Sequence, residues 1–178
     1  MTIRYAILGL LGWQPCTGYD LKKIIADSST LYWSGNNNQV YTTLIQMLKE
    51  GLVTVVVQPQ ESLPARKVYS ISDAGRAALR EWVLSAPEPI ELRSTFLIQL
   101  GWADQLDDRE LVGLLDAYEE EIQVQRDMQR EKARRAKSPN RTQRETYLWQ
   151  MIDENLLGVY EQELTWVRRV RRGVEALR

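Results

Sequence analysis

The segment Pro87-Glu88-Pro89 divides this chain of 178 residues into two halves with different sequence patterns. Proline is unfavourable inside helices and central strands and restricts the residue before it, so no regular element continues through this segment. Before it, helical apolar periods alternate with stretches rich in β-branched residues, whereas after it the periodicity is helical throughout. We therefore expect two domains, residues 1–87 and residues 90–178.

Three short helices are predicted in the first half. Apolar residues recur at helical spacing in residues 3–11, and a turn signal at residues 12–17 ends this helix. Thr17 is placed to cap a second helix, which fades after Asp27. A third helix ends at Gly51, and its apolar stripe consists of Val40, Leu44, Met47 and Leu48.

A β-hairpin follows the third helix. Residues 52–58 are apolar and β-branched, residues 66–72 alternate in the manner of a half-buried strand, and the loop between them contains two prolines. Ser72 then caps a fourth helix that stops before Pro87. The first half is thus predicted to contain four helices and one two-stranded hairpin.

The second half is predicted to be entirely helical. Amphipathic periodicity extends over residues 90–103, 107–137 and 141–174. The turn Ser138-Pro139-Asn140 separates the last two segments, which are long enough to form an antiparallel helical hairpin.

Composition excludes most catalytic and metal chemistry. The chain has no histidine and a single cysteine, Cys16, which removes histidine-based acid–base catalysis, the usual zinc sites and an intrachain disulfide. No phosphate-binding glycine loop and no nucleophile elbow is present. We expect no catalytic residues, no metal and no cofactor, and we interpret Glu119-Glu120-Glu121 as a solvated part of a long helix.

Charge and targeting signals restrict the partners and the location. The formal net charge is −1, and residues 1–90 carry eight Lys and Arg against seven Asp and Glu, so any nucleic-acid contact must be local. The uncharged residues 5–19 are too few for a membrane span, which needs about 20, and no signal-cleavage pattern follows them. We expect a cytoplasmic protein that does not contact a membrane.

The element order of the first half is that of a winged helix-turn-helix, in which the third helix enters the DNA major groove. The fold class is therefore mainly α, an N-terminal winged helix-turn-helix with a two-stranded wing followed by an all-helical C-terminal dimerisation domain. Opposite its apolar stripe, the third helix carries uncharged hydrogen-bonding side chains. These are Asn38, Gln39, Thr42, Thr43 and Gln46.

Such side chains can recognise base edges, although a polar helix face is often only solvated. Because Asn and Thr are poor helix formers, a purely solvated face would normally use Lys and Glu instead, and composition favours contact. Arg66 and Lys67 follow the hairpin loop and could contact phosphates or protect a strand edge against aggregation. Tyr19, Lys22 and Lys23 on the second helix could likewise contact phosphates or be solvated.

The sequence also resembles a known family, the PadR-type transcriptional regulators. The resemblance is specific over about residues 3–86 and looser beyond residue 90, where it concerns a longer-tailed subgroup with a virulence-activator-like helical C-terminal domain. The matching segments are Tyr5-Ala6-Ile7-Leu8-Gly9-Leu10-Leu11, Gly18-Tyr19-Asp20-Leu21, Gln39-Val40-Tyr41, Leu44, Leu48, Glu50-Gly51-Leu52-Val53, Arg66-Lys67-Val68-Tyr69-Ser70-Ile71-Ser72, Gly75-Arg76 and Trp82.

The resemblance implies a set of DNA contacts, to which the helix geometry adds others. The resemblance to the family implies contacts by Gln39, Tyr41, Thr42, Arg66 and Lys67. Helix geometry alone adds Asn37, Asn38, Thr43 and Gln46. Two departures prevent any transfer of an operator sequence. Thr42 stands where the family commonly has proline, and Asn36-Asn37-Asn38 replaces smaller residues.

The second half is expected to form a homodimer. One winged helix buries too little DNA-contacting surface for tight binding, and a dimer presents two recognition helices about one DNA turn apart. The last helix has a wide apolar surface, which could also be satisfied within one chain, and the family is similar in dimerising through C-terminal helices. The expected dimer residues are Leu148, Met151, Ile152, Leu156, Val159, Trp166 and Val170.

Two other features of the second half can be explained by solvation or core packing without a binding role. The basic clusters Arg168-Arg169-Arg171-Arg172 and 132–137 are interpreted as solvated helix faces or helix-dipole complements, although either could be a second DNA contact. The six tryptophans are candidates for an aromatic pocket, but tryptophan at helical spacing is more often a core residue. The family is similar in responding to small aromatic or other apolar effectors.

Three classes of function follow from these observations. The leading hypothesis is a homodimeric, sequence-specific DNA-binding repressor that holds a pseudo-palindromic operator in double-stranded DNA and is released by a small aromatic effector. The alternative is a winged-helix module that binds another protein and no DNA, for which the near-neutral charge is the supporting feature. An enzyme is the third class, and the missing catalytic motifs argue against it.

Overall fold

The computed structural model describes residues 3–28, 31, 38–59, 65–89, 94–135 and 141–177. The chain divides into two compact units, one formed by Met1–Pro87 with Ala136–Arg141 and the other by Glu88–Arg135 with Thr142–Arg178. Within the part of the chain that the structure describes, no helix combines the length and the apolar character that crossing a membrane requires.

The first unit has the element order of a winged helix-turn-helix. Three helices precede a hairpin, and a fourth helix follows it. The elements are α1 (Ile3–Trp13), β1 (Cys16–Thr17), α2 (Gly18–Asp27), α3 (Asn38–Lys49), β2 (Val53–Gln58), β3 (Arg66–Ile71) and α4 (Asp73–Val83). The predicted winged-helix fold class is confirmed.

Local sequence signals account for the helix boundaries. Thr17 caps α2 through a reciprocal capping box with Asp20, and the Ser72 hydroxyl accepts a hydrogen bond from the Gly75 N–H at 3.0 Å to cap α4. Gly51 ends α3 with a φ of +73°, a conformation that side chains other than glycine rarely adopt. Both predicted N-caps and the glycine stop are confirmed.

The sheet contains one strand more than the predicted two. Strands β2 and β3 pair antiparallel from Val53↔Ile71 to Gln58↔Arg66, and the short β1 pairs with the other edge of β3 through Cys16↔Tyr69 and Thr17↔Val68. The sequence pattern predicts a turn and a helix cap for the residues of β1. They form a strand because the extended backbone that Thr17 needs as a cap also suits an open strand edge.

The core of the first unit is built by α1, α2, α3 and the sheet. Ile7, Leu8, Leu21, Leu44 and Met47 are completely buried in it. Leu48 was predicted to share this face but is 38% exposed. At about 100° per residue Leu48 lies well away from Met47 around the helix, so the buried stripe of α3 consists of Val40, Leu44 and Met47.

The second unit consists of α5 (Thr95–Gly101), a 3₁₀ turn (Ala103–Gln105), α6 (Asp108–Arg135) and α7 (Gln143–Ala176). The expected single helix over residues 90–103 is shorter, because Ser94 caps α5 and the helix ends at Gly101; residues 90–93 lie outside the described residues. Phe96, Leu115 and Val167 form a second core.

A charge network around the buried carboxylate of Glu119 joins α6 to α7 and corrects two predictions. Glu119 is only 8% exposed, and its carboxylate accepts a hydrogen bond from Arg168 Nε at 2.7 Å and lies 2.9 Å from Arg171 Nη2. Arg171 also pairs with Asp116 at 2.5 Å. Glu119, Arg168 and Arg171 therefore bind each other across the hairpin, and interpreting them as merely solvated was wrong, because an antiparallel partner helix covers this face of α6.

We expect Glu119→Ala to lower the free energy of unfolding by about 2 kcal/mol, a value between those typical of exposed and of buried ion pairs because Arg168 is half exposed. The hydrogen bond from Arg168, helped by the charge of Arg171, holds the pKa of Glu119 below its usual range. The network's stabilisation is thus complete above the ordinary glutamate pKa of about 4.3 and is lost as the pH falls through the lowered pKa.

Urea unfolding followed by circular dichroism at pH 7 and at decreasing pH measures this effect. Glu120→Ala is the matched control, because Glu120 is the neighbouring, exposed carboxylate. Equal unfolding free energies for the Glu119 and Glu120 variants would show that the network contributes nothing.

Candidate nucleic-acid interface

The outward face of α3 carries most of the predicted base-contacting residues. The face opposite the buried stripe holds Gln39, Tyr41, Thr42, Ile45 and Gln46, and all five side chains are exposed. Thr43 is half-buried at the border of the apolar stripe. Asn38 is the first residue of α3, and Asn37 lies outside the described residues.

Tyr41 is held where α3 meets the start of α2. A Cβ atom added to Gly18 would lie 2.5 Å from Cε1 of the Tyr41 ring, so only glycine allows this approach. The Tyr41 side chain nevertheless remains exposed. Gly18 thereby leaves room for the Tyr41 ring against the first turn of α2.

Asp20 connects α2 to the wing, which is the hairpin of β2 and β3. Its Oδ2 accepts hydrogen bonds from the Thr17 hydroxyl at 2.7 Å, from the Thr17 N–H at 3.1 Å and from Arg66 Nη2 at 3.0 Å. The Thr17 hydroxyl, followed by the Thr17 N–H and Arg66, lowers the pKa of Asp20 against the opposing effect of burial. Asp20 is therefore ionised at neutral pH and places the Arg66 guanidinium beside the start of α2.

The predicted phosphate-contacting residues differ in exposure. Tyr19 and Lys23 on α2 are exposed and Lys22 is half-buried, while Arg66 and Lys67 at the start of β3 are exposed. Lys67 pairs with Val57 of β2 in the sheet register.

A single open groove of about 550 Å³ brings α2, α3 and the wing together. The sequence analysis named Ile45 neither in the apolar stripe of α3 nor among its hydrogen-bonding residues, yet Ile45 lines this groove. The residues that line this groove include Tyr19, Asp20, Tyr41, Ile45, Arg66 and Lys67.

Gln46 is engaged within the protein. Its Nε2 donates a hydrogen bond to Glu50 Oε1 at 2.7 Å, and the other oxygen of Glu50 pairs with Arg4. One of the two amide N–H groups of Gln46 is therefore engaged with Glu50, which Arg4 shares.

The arrangement offers hydrogen-bond donors and acceptors, cations and apolar surface, but no metal site. Among the described residues, no three or more His, Cys, Asp or Glu side chains are grouped so that they could hold a metal ion. Exposed amide and hydroxyl groups on a helix, flanked by an arginine and a lysine, are the groups with which proteins bind bases and phosphates. The fold and this surface define a winged helix-turn-helix protein with a helical C-terminal unit.

Comparison with known proteins agrees with this class. Residues 7–81 match the model of the transcriptional regulator PadR-like family. The chain is 26% identical over 122 residues to the negative transcriptional regulator PadR of Bacillus subtilis, an alignment that covers 68% of this chain and 65% of the relative. It is 35% identical over 89 residues to a probable transcriptional regulator of Mycobacterium tuberculosis, which covers 50% of this chain and 47% of the relative.

Residues 7–81 therefore form a PadR-like domain, and the chain is similar to transcriptional regulators of this family. The alignments span less than two thirds of the length of either curated relative.

Solved structures show the same fold over nearly the whole chain. Bacillus subtilis PadR in complex with operator DNA superposes with a TM-score of 0.84 at 19% identity, covering 98% of this chain and 99% of that one. The same regulator with p-coumaric acid gives a TM-score of 0.79 at 19% identity, covering 98% and 99%. The Vibrio cholerae virulence activator AphA gives 0.74 at 26% identity, covering 99% and 100%. The resemblance to these regulators thus extends into the helical second unit.

Proposed function

We propose that the protein is a homodimeric, sequence-specific repressor that binds a pseudo-palindromic operator through residues 1–87, dimerises through residues 90–178 and catalyses no reaction. The observation that carries the proposal is the continuous surface of α2, the outward face of α3 and the start of β3. On it, exposed amide and hydroxyl side chains lie beside Arg66 and Lys67. Because the proposed ligand is chromosomal DNA, the proposed location is the cytoplasm.

Each side-chain type has a proposed role on this surface. Gln39 and Thr42 contact base edges, because α3 is the helix that enters the major groove in this fold. Arg66, Lys67 and the exposed polar end of α2 contact phosphates, which position the protein without reading sequence. The proposed DNA-contacting residues are Tyr19, Lys22, Asn37, Asn38, Gln39, Tyr41, Thr42, Thr43, Gln46, Arg66 and Lys67.

The proposed dimer contact uses the apolar surface of α7. Leu148, Ile152 and Val159 are exposed in the single chain, and Met151 and Leu156 are half-buried. These side chains would lose their water contact in a dimer. Trp166 and Val170, also in the proposed set, already pack against the chain's own core, so they contribute mainly by supporting α7.

An effector is proposed from the relative. Because one crystal structure of Bacillus subtilis PadR contains p-coumaric acid, we propose that a small aromatic compound releases this protein from its operator. Operator binding measured in the presence of p-coumaric acid and related phenolic acids tests this, and an unchanged affinity would remove phenolic acids as candidates.

Fluorescence anisotropy with a labelled duplex from the protein's own promoter region, at rising salt concentration, tests DNA binding. We expect the logarithm of affinity to fall linearly with the logarithm of salt, with a slope that corresponds to several phosphate contacts. A flat response would instead favour the alternative of a module that binds another protein.

In the same titration, Arg66→Ala is expected to weaken binding to operator and unrelated duplexes alike and to reduce the salt slope by about one. Arg66 is paired with Asp20 in the free protein, so binding exchanges a carboxylate partner for a phosphate, and the variant also leaves Asp20 facing the DNA without its cation. Arg66→Lys, which keeps the charge, should retain most of the slope.

Arg80→Ala is the control, because it removes an exposed arginine of the same unit from α4. A slope that responds equally to the Arg66 and Arg80 variants would mean that only net charge matters and that the wing makes no particular contact.

A further inference from the structure

Ile45 is an exposed aliphatic residue on a helix whose other aliphatic side chains are mostly buried. Its side chain is 54% exposed, whereas Val40 is 5% and Leu44 is 0% exposed. Single exposed aliphatic residues are common on protein surfaces, so exposure alone assigns no function to Ile45. The inference depends on where this residue lies.

Ile45 lies on the outward face of α3, which is the face proposed to contact bases. It follows Tyr41 by four residues and Thr42 by three, and residues at these spacings are neighbours on a helix surface. Ile45 and Tyr41 line the same groove as Arg66 and Lys67. An apolar patch of Tyr41 and Ile45 therefore lies between the hydrogen-bonding residues of α3 and the cations of the wing.

We infer that Ile45, supported by Tyr41, recognises thymine in the operator through the 5-methyl group of the base. This inference rests on the proposed function, because it assumes that α3 enters the major groove. Of the four bases, only thymine presents a methyl group there, and the edges of the others are dominated by hydrogen-bonding groups. An isoleucine side chain cannot hydrogen-bond, so against adenine, guanine or cytosine it would remove water from polar groups without compensation.

The charge around the patch supports this occupant. Arg66 and Lys67 flank the groove on the wing side, where they would hold the phosphates of the strand whose bases face α3. The carboxylate of Asp20 is already paired with Arg66, which limits its repulsion of a nearby phosphate. A patch surrounded in this way suits a base edge better than it suits a second protein, whose apolar contacts would usually be larger.

The test replaces thymidine by deoxyuridine, which removes the methyl group and keeps the hydrogen-bonding pattern. Full-length wild-type protein first selects its preferred sequences from a pool of random duplexes. Each thymidine of the selected duplex is then changed to deoxyuridine in turn, and anisotropy is measured with wild type, Ile45→Ala and Ile45→Val. Val83→Ala is the control, since Val83 is also an exposed β-branched residue and lies on α4.

At one thymine in each half-site, wild type should lose about fourfold in affinity, and about 15-fold when both are replaced, as expected for uncovering one methyl-sized group per half-site. Ile45→Ala should not respond to the replacement, while Ile45→Val and Val83→Ala should respond as wild type does.

Two results would overturn the inference and leave the proposed function intact. One is a selected operator in which no thymine methyl affects binding, and the other is an Ile45→Ala variant that responds to deoxyuridine as strongly as wild type does. Failure to select any sequence would instead contradict the proposed function itself.

Discussion

Gln39→Ala and Thr42→Ala are each expected to weaken operator binding by about 1 to 3 kcal/mol per half-site while leaving the dimer intact. Both side chains are exposed on the first turns of α3, the part of the helix that meets base edges in this fold. The glutamine amide can donate to and accept from one adenine at the same time, and the hydroxyl of Thr42 can do either. Alanine leaves the facing base group without a partner in a site from which water has been excluded.

The measurement compares a selected operator duplex with an unrelated duplex of equal length, and sedimentation reports the dimer. The loss should appear on the operator alone, because unrelated DNA is held through its phosphates. Thr42→Val separates the hydroxyl from the shape of the side chain and should behave as Thr42→Ala does.

Gln143→Ala is the matched control for Gln39→Ala, because it removes an exposed glutamine from the first turn of another helix, α7. Operator affinities equal to wild type for the Gln39 and Thr42 variants would remove both residues from the proposed interface. Equal losses on both duplexes would reassign them to phosphate contact.

Gly75→Ala is expected to destabilise the protein by about 3 kcal/mol, the upper part of the usual range for overpacking. In an exposed helix interior the same exchange stabilises by about 1 kcal/mol, because alanine has the higher helix propensity. Here the added Cβ would lie 2.1 Å from the carbonyl oxygen of Leu52 and 2.9 Å from Cγ1 of Ile71. The steric effect exceeds the gain in helix propensity.

The Leu52 carbonyl cannot easily move away from the added carbon. It accepts a hydrogen bond from the Ser72 N–H at 3.0 Å, and the Ser72 hydroxyl donates to the Gly51 carbonyl at 2.7 Å while accepting from the Gly75 N–H. Moving the carbonyl would therefore disturb both the end of α3 and the cap of α4. The contact between an added Cβ at residue 75 and the Leu52 carbonyl is therefore rigid, because hydrogen bonds hold both the carbonyl and the first turn of α4 in place.

Urea unfolding of the full-length protein measures the effect, with Gly9→Ala as the control. Gly9 lies inside α1 of the same unit, and a Cβ added there meets no atom within 4 Å. Gly9→Ala should be as stable as wild type or gain up to about 1 kcal/mol. A Gly75→Ala variant that is more stable than wild type would show that the junction of β3 and α4 can relax.

Some features of the fold and the site could be predicted from short stretches of sequence, and others could not. The roles of Thr17, Ser72 and Gly51 depend on hydrogen bonds or backbone angles within a few residues, so local chemistry was sufficient. Strand β1 could not be predicted, because it exists only where residues 16–17 meet β3 more than 50 residues later. The end of α5 at Gly101 likewise interrupted a periodicity that suggested a longer helix.

The proposed site shows the same division. The polar character of Gln39 and Thr42 and the cations of the wing were visible in the sequence, as was the resemblance to PadR-type regulators. The pairing of Arg66 with Asp20, and the approach of Tyr41 to Gly18, join residues that are more than 20 positions apart. Ile45 was overlooked because the residues expected on this face of α3 were chosen for their ability to form hydrogen bonds, which an isoleucine side chain lacks.

The amino-acid sequence by itself determined the order of the four helices and the two-stranded hairpin of the first unit, and the caps at Thr17 and Ser72, because these depend on the preferences of neighbouring residues. Only the tertiary structure decided which charged groups come together around a buried carboxylate, as at Glu119, and which apolar side chain of the predicted stripe remains outside the core, as at Leu48. The reason is physical: burial is a property of what packs against a residue, and the packing partners come from distant parts of the chain.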